Sequence, residues 1–549
     1  MGRSRTPRFL RRGISRRHFL KGMAAGSALL GVQPVLVATA SHDDVSPVHS
    51  TNRFHHGIAS GDPLADRVIL WTRVNQSSPP DEIPVDWIVA GDSALQNVVA
   101  AGSTVARRSG DYTVKVDVTG LAPATTYYYR FTSGGVASPV GRTRTLPVGA
   151  VDRLRVAVLS CASLAQGYFN AYRRVSRRAD LDLVVHLGDY IYEHGDGEYG
   201  SVRLYKPPHE ILSLRDYRSR HNQYKTDIDV REVHRHHPMV AVWDDHEIAD
   251  NAWKDGAENH QVEEGAWFDR LSAALRSYYE WMPVRQVSTN RRQLYRSFKL
   301  GELAELFMLE TRVSARSEQA EPNLTSDPPT FTQEGEFLDP ARKVIADSQQ
   351  TWLMDGLRAS TAQWKLIGQG VMLAPVRSGK DFDGNDIYFN PDQWDGYKPA
   401  RDRLLSALAG TSTTAPVRNA VVLTGDIHSS WGAELVREPS SSPDYTSLGV
   451  ELVATSVTSP GFDDPDGQVA AGLRTLNSHL KYVELTRRGY LLLDITPARV
   501  SGEWWYVDTV LAKSTVQSFG HALQTPDGSN RLEPGTQSAP KTGAPPLAP

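Results

Sequence analysis

Short apolar runs alternate with turn-forming residues between about residues 50 and 145. The runs are rich in β-branched and aromatic side chains, and Gly, Pro, Asp and Ser separate them. They cover residues 68–74, 84–90, 112–118 and 126–131. In the third run, the period of two places Val114, Val116 and Val118 on one face. Strands of this length and spacing are typical of a small β-sandwich, which we expect to span residues 50–147.

The pattern changes after a joint at residues 147–152, which contains Pro and Gly. Apolar strands now alternate with stretches of helical periodicity. The predicted strands are 156–159, 183–186, 240–243, 304–309, 364–368 and 420–424, and the predicted helices are 167–178, 266–281 and 347–359. This alternation of strands and helices predicts a layered α/β domain over residues 151–510.

Candidate metal ligands follow four of these strands directly. They are Cys161, then Asp189 and Tyr192, then Asp244, Asp245, His246 and Glu247, and finally Asp426 and His428. Ligands of α/β sheets bind outside the carboxyl ends of the strands, so we expect the four clusters to meet. Adjacent carboxylates on one loop repel each other unless cations lie between them. The pattern therefore predicts a metal-dependent hydrolase.

Cys161 is the single cysteine of the 549 residues, so it forms no disulfide within the chain. Most free cysteines are small, buried, hydrophobic residues. The position of Cys161, one strand–helix unit before Asp189, favours a metal ligand instead. A thiolate, a phenolate from Tyr192 and a carboxylate together suit iron better than magnesium or calcium alone.

The N-terminus has the layout of a twin-arginine signal peptide. A basic segment with SRRHFLK at residues 15–21 precedes a weakly apolar run to about Val37, and residues 38–40 offer a small-x-small cleavage site. We therefore expect a signal over residues 1–40, the twin-arginine export machinery as a partner, and a secreted or cell-envelope location. The alternative interpretation is a basic tail before an amphipathic helix.

Composition excludes several other classes of protein. The formal net charge of -3, with 22% charged residues, indicates no basic nucleic-acid-binding surface. No apolar run reaches the roughly 20 residues that a transmembrane helix needs, so we expect no membrane anchor. After residue 511 the hydrophobic pattern fades, and residues 524–549 are rich in Gly, Pro, Ser and Thr. This composition predicts a disordered tail over residues 511–549.

Several segments together resemble the PhoD family of secreted alkaline phosphatases. They are GDYIYE at 188–193, WDDHE at 243–247 and TGDIHSSW at 424–431, supported by FHHGIASGDP at 54–63, DQWDGY at 392–397, TSVTSPG at 455–461 and HLKY at 479–482. Residues 121–130 resemble the corner of fibronectin-type modules. The implied fold is a fibronectin-like β-sandwich followed by a layered α/β metallophosphoesterase domain. Two positions depart from the family: Glu310 replaces the usual Asp, and no Pro precedes His479.

The resemblance also implies a set of metal ligands. It implies a ferric ion held by Cys161, Asp189, Tyr192 and His428, with calcium beside it, Asp189 bridging, and Asp245 and Asp426 contributing. The frame is similar to purple acid phosphatases, in which Asp fills the place of Cys161 and Asn that of Asp245. Purple acid phosphatases have an additional His at the site, and Gln369 is the candidate residue at that position. Asp244, His246, Glu247 and Asn251 are expected beside the metals.

The implied reaction is hydrolysis of phosphate mono- and diesters by hydroxide that the metals activate. His246 is the candidate acid for the leaving oxygen, oriented by Asp245 or Glu247, or else a spectator that hydrogen-bonds the phosphate. Arg312 and His479 are candidate phosphate clamps, although Arg312 could equally form a structural salt bridge.

Three other functions fit parts of the sequence. A secreted phospholipase D acting on phosphatidylcholine-like lipids also resembles this family, although no basic amphipathic helix indicates membrane docking. A cell-surface binding protein built on a degenerate hydrolase would lack ligand positions, whereas all six are present. A twin-arginine redox enzyme would need a nucleotide-binding glycine loop or a cluster of cysteines, and the sequence has neither.

Overall fold

The computed structural model describes residues 52–326 and 329–549. The twin-arginine signal predicted over residues 1–40 lies outside the described residues. The described chain begins with a run of short strands. They are β1 (Ile58–Gly61), β2 (Arg67–Arg73), β3 (Glu82–Ala90), β4 (Val98–Arg107), β5 (Thr113–Thr119), β6 (Thr126–Ser133), β7 (Val136–Ala137) and β8 (Gly141–Arg144).

These strands form two layers that face each other across a small apolar core. Strands β4, β3, β6 and β7 form one sheet, with β8 paired to β6, while β1, β2 and β5 lie side by side in the other layer. Val114 and Val118 of β5 are buried in this core and Val116 packs against it, as the alternation predicts. The Tyr127 hydroxyl accepts a hydrogen bond from the backbone N–H of Ala122 at 2.9 Å, which closes the predicted corner. The β-sandwich is confirmed.

The rest of the chain folds as the predicted α/β domain. Its strands are β9 (Leu154–Leu159), β10 (Leu183–His186), β11 (Pro238–Ala241), β12 (Arg296–Leu300), β13 (Ala304–Met308), β14 (Phe331–Thr332), β15 (Trp364–Gln369), β16 (Gly379–Lys380), β17 (Asp386–Tyr388), β18 (Ala420–Thr424), β19 (Ser430–Glu434), β20 (Val450–Val453), β21 (Leu480–Glu484), β22 (Gly489–Ile495), β23 (Arg499–Val507), β24 (Gln517–Pro526) and β25 (Glu533–Pro534). Its helices are α1 (Asn170–Ser176), α2 (Leu214–Thr226), α3 (Ile228–His236), α4 (Trp267–Trp281), α5 (Asp347–Ala359), α6 (Lys398–Ala409) and α7 (Gln468–Leu476).

Helix α1 is shorter than the predicted 167–178. The backbone N–H of Tyr168 donates to the carbonyl of Val510 at 2.7 Å instead of entering a helical hydrogen bond. Among the described helices, none is long and apolar enough to cross a membrane.

Two large sheets stack face to face between layers of helices. The ten-stranded sheet has the order β25-β24-β23-β22-β9-β10-β11-β1-β2-β5, and the seven-stranded sheet has the order β12-β13-β15-β18-β20-β19-β21. Strands β9, β10 and β11 run parallel, as do β13, β15, β18 and β20. Side chains from both sheets share one apolar core, to which α1–α4 also contribute, while α5–α7 pack in a second core on the seven-stranded sheet. The fold therefore contains two blocks of parallel strand ends.

The β-sandwich and the α/β domain share the ten-stranded sheet. Strand β1 pairs in parallel with β11, with Ser60 opposite Pro238. A buried ion pair crosses the same junction, because Arg296 Nη2 lies 2.6 Å from Asp62 Oδ1. The two parts of the chain are therefore joined by a backbone hydrogen-bond ladder as well as by the joint at residues 147–152.

The structure contradicts the disordered tail that we expected over residues 511–549. Strand β24 pairs antiparallel with β23, and β25 pairs with β24. Leu523 of β24 packs so closely over Gly432 that a Cβ atom there would lie 2.4 Å from Leu523 Cδ1. Further along, the Tyr128 hydroxyl donates to the Pro546 carbonyl at 2.7 Å. The prediction of disorder from composition was wrong because an extended segment needs no core of its own. Neighbouring strands supply its hydrogen bonds and apolar contacts.

Replacing Leu523 by Ala tests whether β24 belongs to the folded core. Leu523 is 4% exposed, so the substitution removes buried apolar atoms. It should lower the free energy of unfolding by about 2–4 kcal/mol, measured by urea denaturation with tryptophan fluorescence. Leu511→Ala is the matched control, because Leu511 is 67% exposed. The control should stay within about 0.5 kcal/mol of the wild type. Equal, near-zero effects of both changes would contradict an ordered β24.

Candidate metal centre

The ligand clusters predicted from the sequence lie where parallel strands of both sheets end. Cys161 follows β9, Asp189 follows β10 and Asp245 follows β11 in the ten-stranded sheet. Asp426 and His428 follow β18 of the seven-stranded sheet. All five side chains are buried. The predicted convergence of the strand ends is therefore seen, and it joins the two sheets at one edge.

Among the described residues, four groups of donor atoms lie at this edge. Two of them include His246: one with Asp189 and Asp245, and one with Glu193 and His194. The other two contain the predicted iron and calcium ligands. One ligand atom from each of Cys161, Asp189 and His428 lies within 4.8 Å of the others. The same holds for a second group of four carboxylates, formed by Asp189, Asp244, Asp245 and Asp426. Asp189 belongs to both groups, so its carboxylate lies between a mixed thiol–imidazole site and an all-oxygen site.

Tyr192 lies beside the first group. Its hydroxyl donates to Asp189 Oδ2 at 3.1 Å and lies 3.4 Å from His428 Nε2 and 2.6 Å from Ser459 Oγ. The His428 ring donates from Nδ1 to the carbonyl of Pro460 at 3.1 Å. This hydrogen bond places the lone pair of His428 on Nε2, which faces Tyr192 and Asp189.

The backbone of this region is strained. Cys161, Asp189, Asn251, Asp426 and His428 all have φ between 54° and 59°, the left-handed region that residues with a Cβ seldom occupy. Each such residue costs on the order of 1–3 kcal/mol, and this kind of strain clusters at functional sites. Four of these five positions are predicted metal ligands, which supports a functional role for the turns that carry them.

The loops approach each other so closely that two positions require glycine. A Cβ atom on Gly188, whose φ is 103°, would lie 2.4 Å from Asp244 Cβ. A Cβ atom on Gly370 would lie 2.4 Å from Asp244 Oδ1. Any larger residue at either position would therefore displace Asp244 and its loop.

Arg312 is fully buried among the aspartates. It donates from Nε and Nη2 to Asp244, from Nη2 to Asp426 Oδ1 at 2.8 Å, and from Nη1 to both oxygens of Asp392 at 2.9 and 2.8 Å. Asp245 Oδ2 lies 3.7 Å from Nη2. The guanidinium is therefore engaged with protein carboxylates, and this geometry fits a structural counterion better than a phosphate clamp.

Glu310, which stands where the family usually has Asp, holds the loop that carries Arg312. Glu310 Oε1 accepts the backbone N–H groups of Arg312 at 2.8 Å and Val313 at 2.7 Å, and the indole N–H of Trp243 at 3.0 Å. Oε2 accepts the N–H of Ser314 at 2.9 Å. Glu310 thus fixes the loop that carries Arg312 and ties it to the segment before Asp244.

The carboxylates of the acidic loop at 244–247 have different partners: Glu247 binds backbone N–H groups, whereas Asp244 binds Arg312. Glu247 accepts three backbone N–H groups, from Asp189 at 3.0 Å, Tyr190 at 2.6 Å and Asp244 at 2.9 Å. Burial and the nearby Asp189 carboxylate raise the pKa of Glu247 to about 8. Burial and the charges of Asp245 and Asp426 raise the pKa of Asp244 well above its usual range, although Arg312 opposes this rise. Glu247 therefore joins the turn after β10 to the turn after β11.

His246 is paired with a carboxylate that sequence analysis did not select. Its Nδ1 lies 2.7 Å from Glu193 Oε2, and its ring stacks on Tyr192 with centroids 4.1 Å apart. Burial lowers the pKa of His246, but the charges of Glu193, Asp245 and Asp189 outweigh this and raise it well above its usual range. The ring is therefore held by Glu193 and not by Asp245 or Glu247.

The remaining predicted residues lie at different distances from the centre. Asn251 donates its backbone N–H to Asp245 Oδ2 at 2.7 Å and so adjoins the carboxylates. Gln369 accepts the indole N–H of Trp394 at 2.9 Å, and its Nε2 has no hydrogen-bond partner in the described chain. His479 contacts the Pro375 carbonyl at 2.8 Å and the Tyr445 ring, and none of its described contacts reaches the cluster.

Four further residues that were not predicted from the sequence support the centre. They are Glu193, Asp392, Gln393 and Ser459. Gln393 donates from Nε2 to Asp426 Oδ2 at 2.6 Å, and the other three have been described above. Their segments were among those that carry the family resemblance, and this was the one signal that could have pointed to them.

Family models match nearly the whole described chain. A model described as PhoD-like phosphatase matches residues 156–504, and a model described as its N-terminal domain matches residues 38–147. The chain belongs to the PhoD-like phosphatase family. Alkaline phosphatase D of Bacillus subtilis (strain 168) is 37% identical over 502 residues, covering 88% of this chain and 83% of that protein. The solved "Structure of PhoD" matches with a TM-score of 0.81 at 34% identity, covering 91% of this chain and 95% of that one.

As a PhoD-like phosphatase, the chain is a phosphoric ester hydrolase. The resemblance stated from the sequence is confirmed. The donor atoms of this PhoD-like phosphatase fit metal ions, because a thiol, a phenol, an imidazole and four carboxylates converge in a buried space. Carboxylates at such distances repel each other strongly without cations between them.

Replacing Arg312 by Met tests its role as a counterion. The change leaves buried carboxylates uncompensated, so it should lower the free energy of unfolding by about 3–5 kcal/mol, measured by urea denaturation of the metal-free protein. Arg358→Met is the control, because Arg358 is exposed on α5 and should change stability by less than about 0.5 kcal/mol. An Arg312 that only clamps substrate would leave the stability unchanged and raise KM alone.

Proposed function

We propose that the chain is an exported, metal-dependent phosphoesterase that hydrolyses phosphate mono- and diesters. The observation that supports this most is the position of Asp189 in both donor groups. A carboxylate shared by two sites allows two cations to bind one phosphate and to stabilise both its attacking and leaving oxygens. Export by the twin-arginine pathway is proposed from the SRRHFLK motif at residues 15–21.

We assign Fe3+ to Cys161, Asp189, Tyr192 and His428 in this proposal. Thiolate, phenolate and imidazole are donors that iron prefers, and the tautomer of His428 leaves Nε2 for a metal. Calcium prefers oxygen donors, and we assign it to Asp189, Asp245 and Asp426. Asp244 is left out, because its two-point pairing with the Arg312 guanidinium already balances its negative charge.

The residues of the chain have distinct roles in the proposed reaction. Bound cations would polarise the phosphoryl oxygens and lower the pKa of a neighbouring water molecule. Asp189 sets the spacing of the two sites, since the hydrogen bonds of its own turn and of Glu247 hold it in place. Arg312 and Gln393 hold Asp426. His246 donates a proton to the leaving oxygen.

A substrate panel tests the proposed function. The purified protein, supplied with iron and calcium, is assayed on p-nitrophenyl phosphate, bis(p-nitrophenyl) phosphate and phosphatidylcholine. We expect the highest kcat/KM on the mono- or bis-ester. Preference for the lipid with release of choline would instead indicate a phospholipase D on the same site. Inactivity on all three substrates, with iron bound, would contradict the phosphoesterase proposal.

Replacing Cys161 by Ala tests the iron assignment. The substitution removes the thiolate, so iron content and activity should be lost together, measured by elemental analysis and ester hydrolysis. Retention of both would exclude Cys161 from the site.

Replacing Tyr192 by Phe tests the phenolate assignment by spectroscopy. A phenolate bound to Fe3+ gives a charge-transfer band in the visible region, and the variant should lose this band. Tyr199→Phe is the control, because Tyr199 stacks on Tyr192 with centroids 5.4 Å apart but is not assigned as a ligand. Persistence of the band in Tyr192→Phe, or its loss in Tyr199→Phe alone, would contradict the assignment.

A further inference from the structure

Glu193 is the carboxylate that contacts the His246 ring. Both side chains are 0% exposed, and Glu193 Oε2 lies 2.7 Å from His246 Nδ1. The other oxygen, Oε1, accepts the backbone N–H of Asp250 at 2.7 Å and an amide N–H of Asn259 at 2.8 Å. Glu193 is therefore fixed by one oxygen and presents the other to the imidazole.

The neighbouring carboxylates are committed elsewhere. Glu247 uses both oxygens on backbone N–H groups of the turns after β10 and β11. Asp245 accepts the backbone N–H of His246 at 3.0 Å through Oδ1 and that of Asn251 at 2.7 Å through Oδ2. Of these three carboxylates, only Glu193 hydrogen-bonds the ring of His246.

The other ring nitrogen of His246 has a different environment. Nε2 is buried and has no hydrogen-bond partner in the described part of the chain, and Asp250 Oδ1 is 3.9 Å away. A buried imidazole nitrogen without a partner is costly unless a ligand or water reaches it. Stacking on Tyr192 fixes the ring plane, so Nε2 points in a defined direction. The ring lies beside the centre, because one of its nitrogens is within 4.8 Å of a carboxylate oxygen of Asp189 and of Asp245.

We propose that Glu193 is a positioning residue that orients His246 and keeps a proton on Nδ1, so that Nε2–H faces the leaving oxygen. This inference rests on the proposed function. The Nε2–H bond breaks as an O–H bond forms on the leaving oxygen, and the electron pair of the broken P–O bond stays on that oxygen. The imidazole ends neutral with its proton on Nδ1 and regains the Nε2 proton from water after the alcohol leaves.

The dependence of the rate on the leaving group tests this role. Glu193→Gln keeps the size of the side chain, but an amide whose oxygen accepts from Asp250 and Asn259 turns its NH2 group towards Nδ1. Nδ1 then accepts this hydrogen bond and carries no proton, so the ring is neutral with its single proton on Nε2 and is a poor acid. We expect kcat/KM to fall about 100-fold on an alkyl phosphate, whose leaving oxygen needs a proton. It should change little on p-nitrophenyl phosphate, whose leaving group needs none.

Glu198→Gln is the matched control, because Glu198 is an exposed glutamate of the same loop whose carboxylate accepts the backbone N–H of Gly195 at 2.7 Å. This variant should retain the wild-type rate on both esters. Equal losses on both esters for Glu193→Gln, or no loss on the alkyl phosphate, would overturn the inference. Wild-type inactivity on both would overturn the proposed function itself.

Two further readouts separate positioning from structural damage. Iron and calcium contents of Glu193→Gln should match the wild type, and loss of either metal would overturn the inference by placing Glu193 in the metal site. A His246→Asn, Glu193→Gln double variant should be no slower on the alkyl phosphate than His246→Asn alone, since the two residues would act as a unit. Additive losses would show that Glu193 acts independently of His246.

Discussion

Repulsion between buried carboxylates is the constraint on which this structure depends. Asp189, Asp244, Asp245 and Asp426 bring oxygens within 4.8 Å of one another in a space that excludes bulk water. Arg312 contacts three of them and has Asp392 as a further partner. Unpaired charges in such surroundings cost several kcal/mol each, so cation binding and folding stability are linked at this site.

The strands of the two sheets hold these carboxylates in place despite their repulsion. The turn at Cys161 is hydrogen-bonded to the turn at Asp189, because the N–H of Cys161 donates to the Gly188 carbonyl at 3.2 Å and that of Ala162 to the Asp189 carbonyl at 2.8 Å. The next turn is joined by a side chain, because the Glu247 carboxylate accepts backbone N–H groups of Asp189, Tyr190 and Asp244. Strained φ values persist when neighbouring structure fixes them so completely. The rigidity of the strands is thereby transferred to the side chains at their ends.

The predicted ligands could be found from the sequence because each one follows an apolar strand, and strand ends are visible in local composition. The structure brings Cys161, Asp189, Asp245, Asp426 and His428 together as that logic required. Side-chain contacts between distant segments could not be predicted from the sequence. Glu193 meets His246 from 53 positions away, and Arg312 reaches Asp426 from 114 positions away. Local patterns carry no information on which of several nearby carboxylates a given ring or guanidinium will meet.

The tail was misjudged for a related reason. Residues 517–526 lack a strong pattern of their own, and they are ordered because β23 supplies a ladder and Gly432 leaves room for Leu523. An element of this kind takes its structure from its neighbours. The same is true of the shared sheet, where β1 joins β11 across the predicted joint.

The place of β22 in the ten-stranded sheet has a consequence for biosynthesis. Strand β9, which carries Cys161 at its end, lies between β10 and β22, and Leu493 of β22 pairs with Val156 of β9. One flank of the Cys161 strand is therefore absent until more than three hundred further residues have left the ribosome. Pairings between such distant segments form slowly. The complete surroundings of Cys161 therefore form only after β22 has been synthesised, and a metal ion bound at the complete site would be bound after that point.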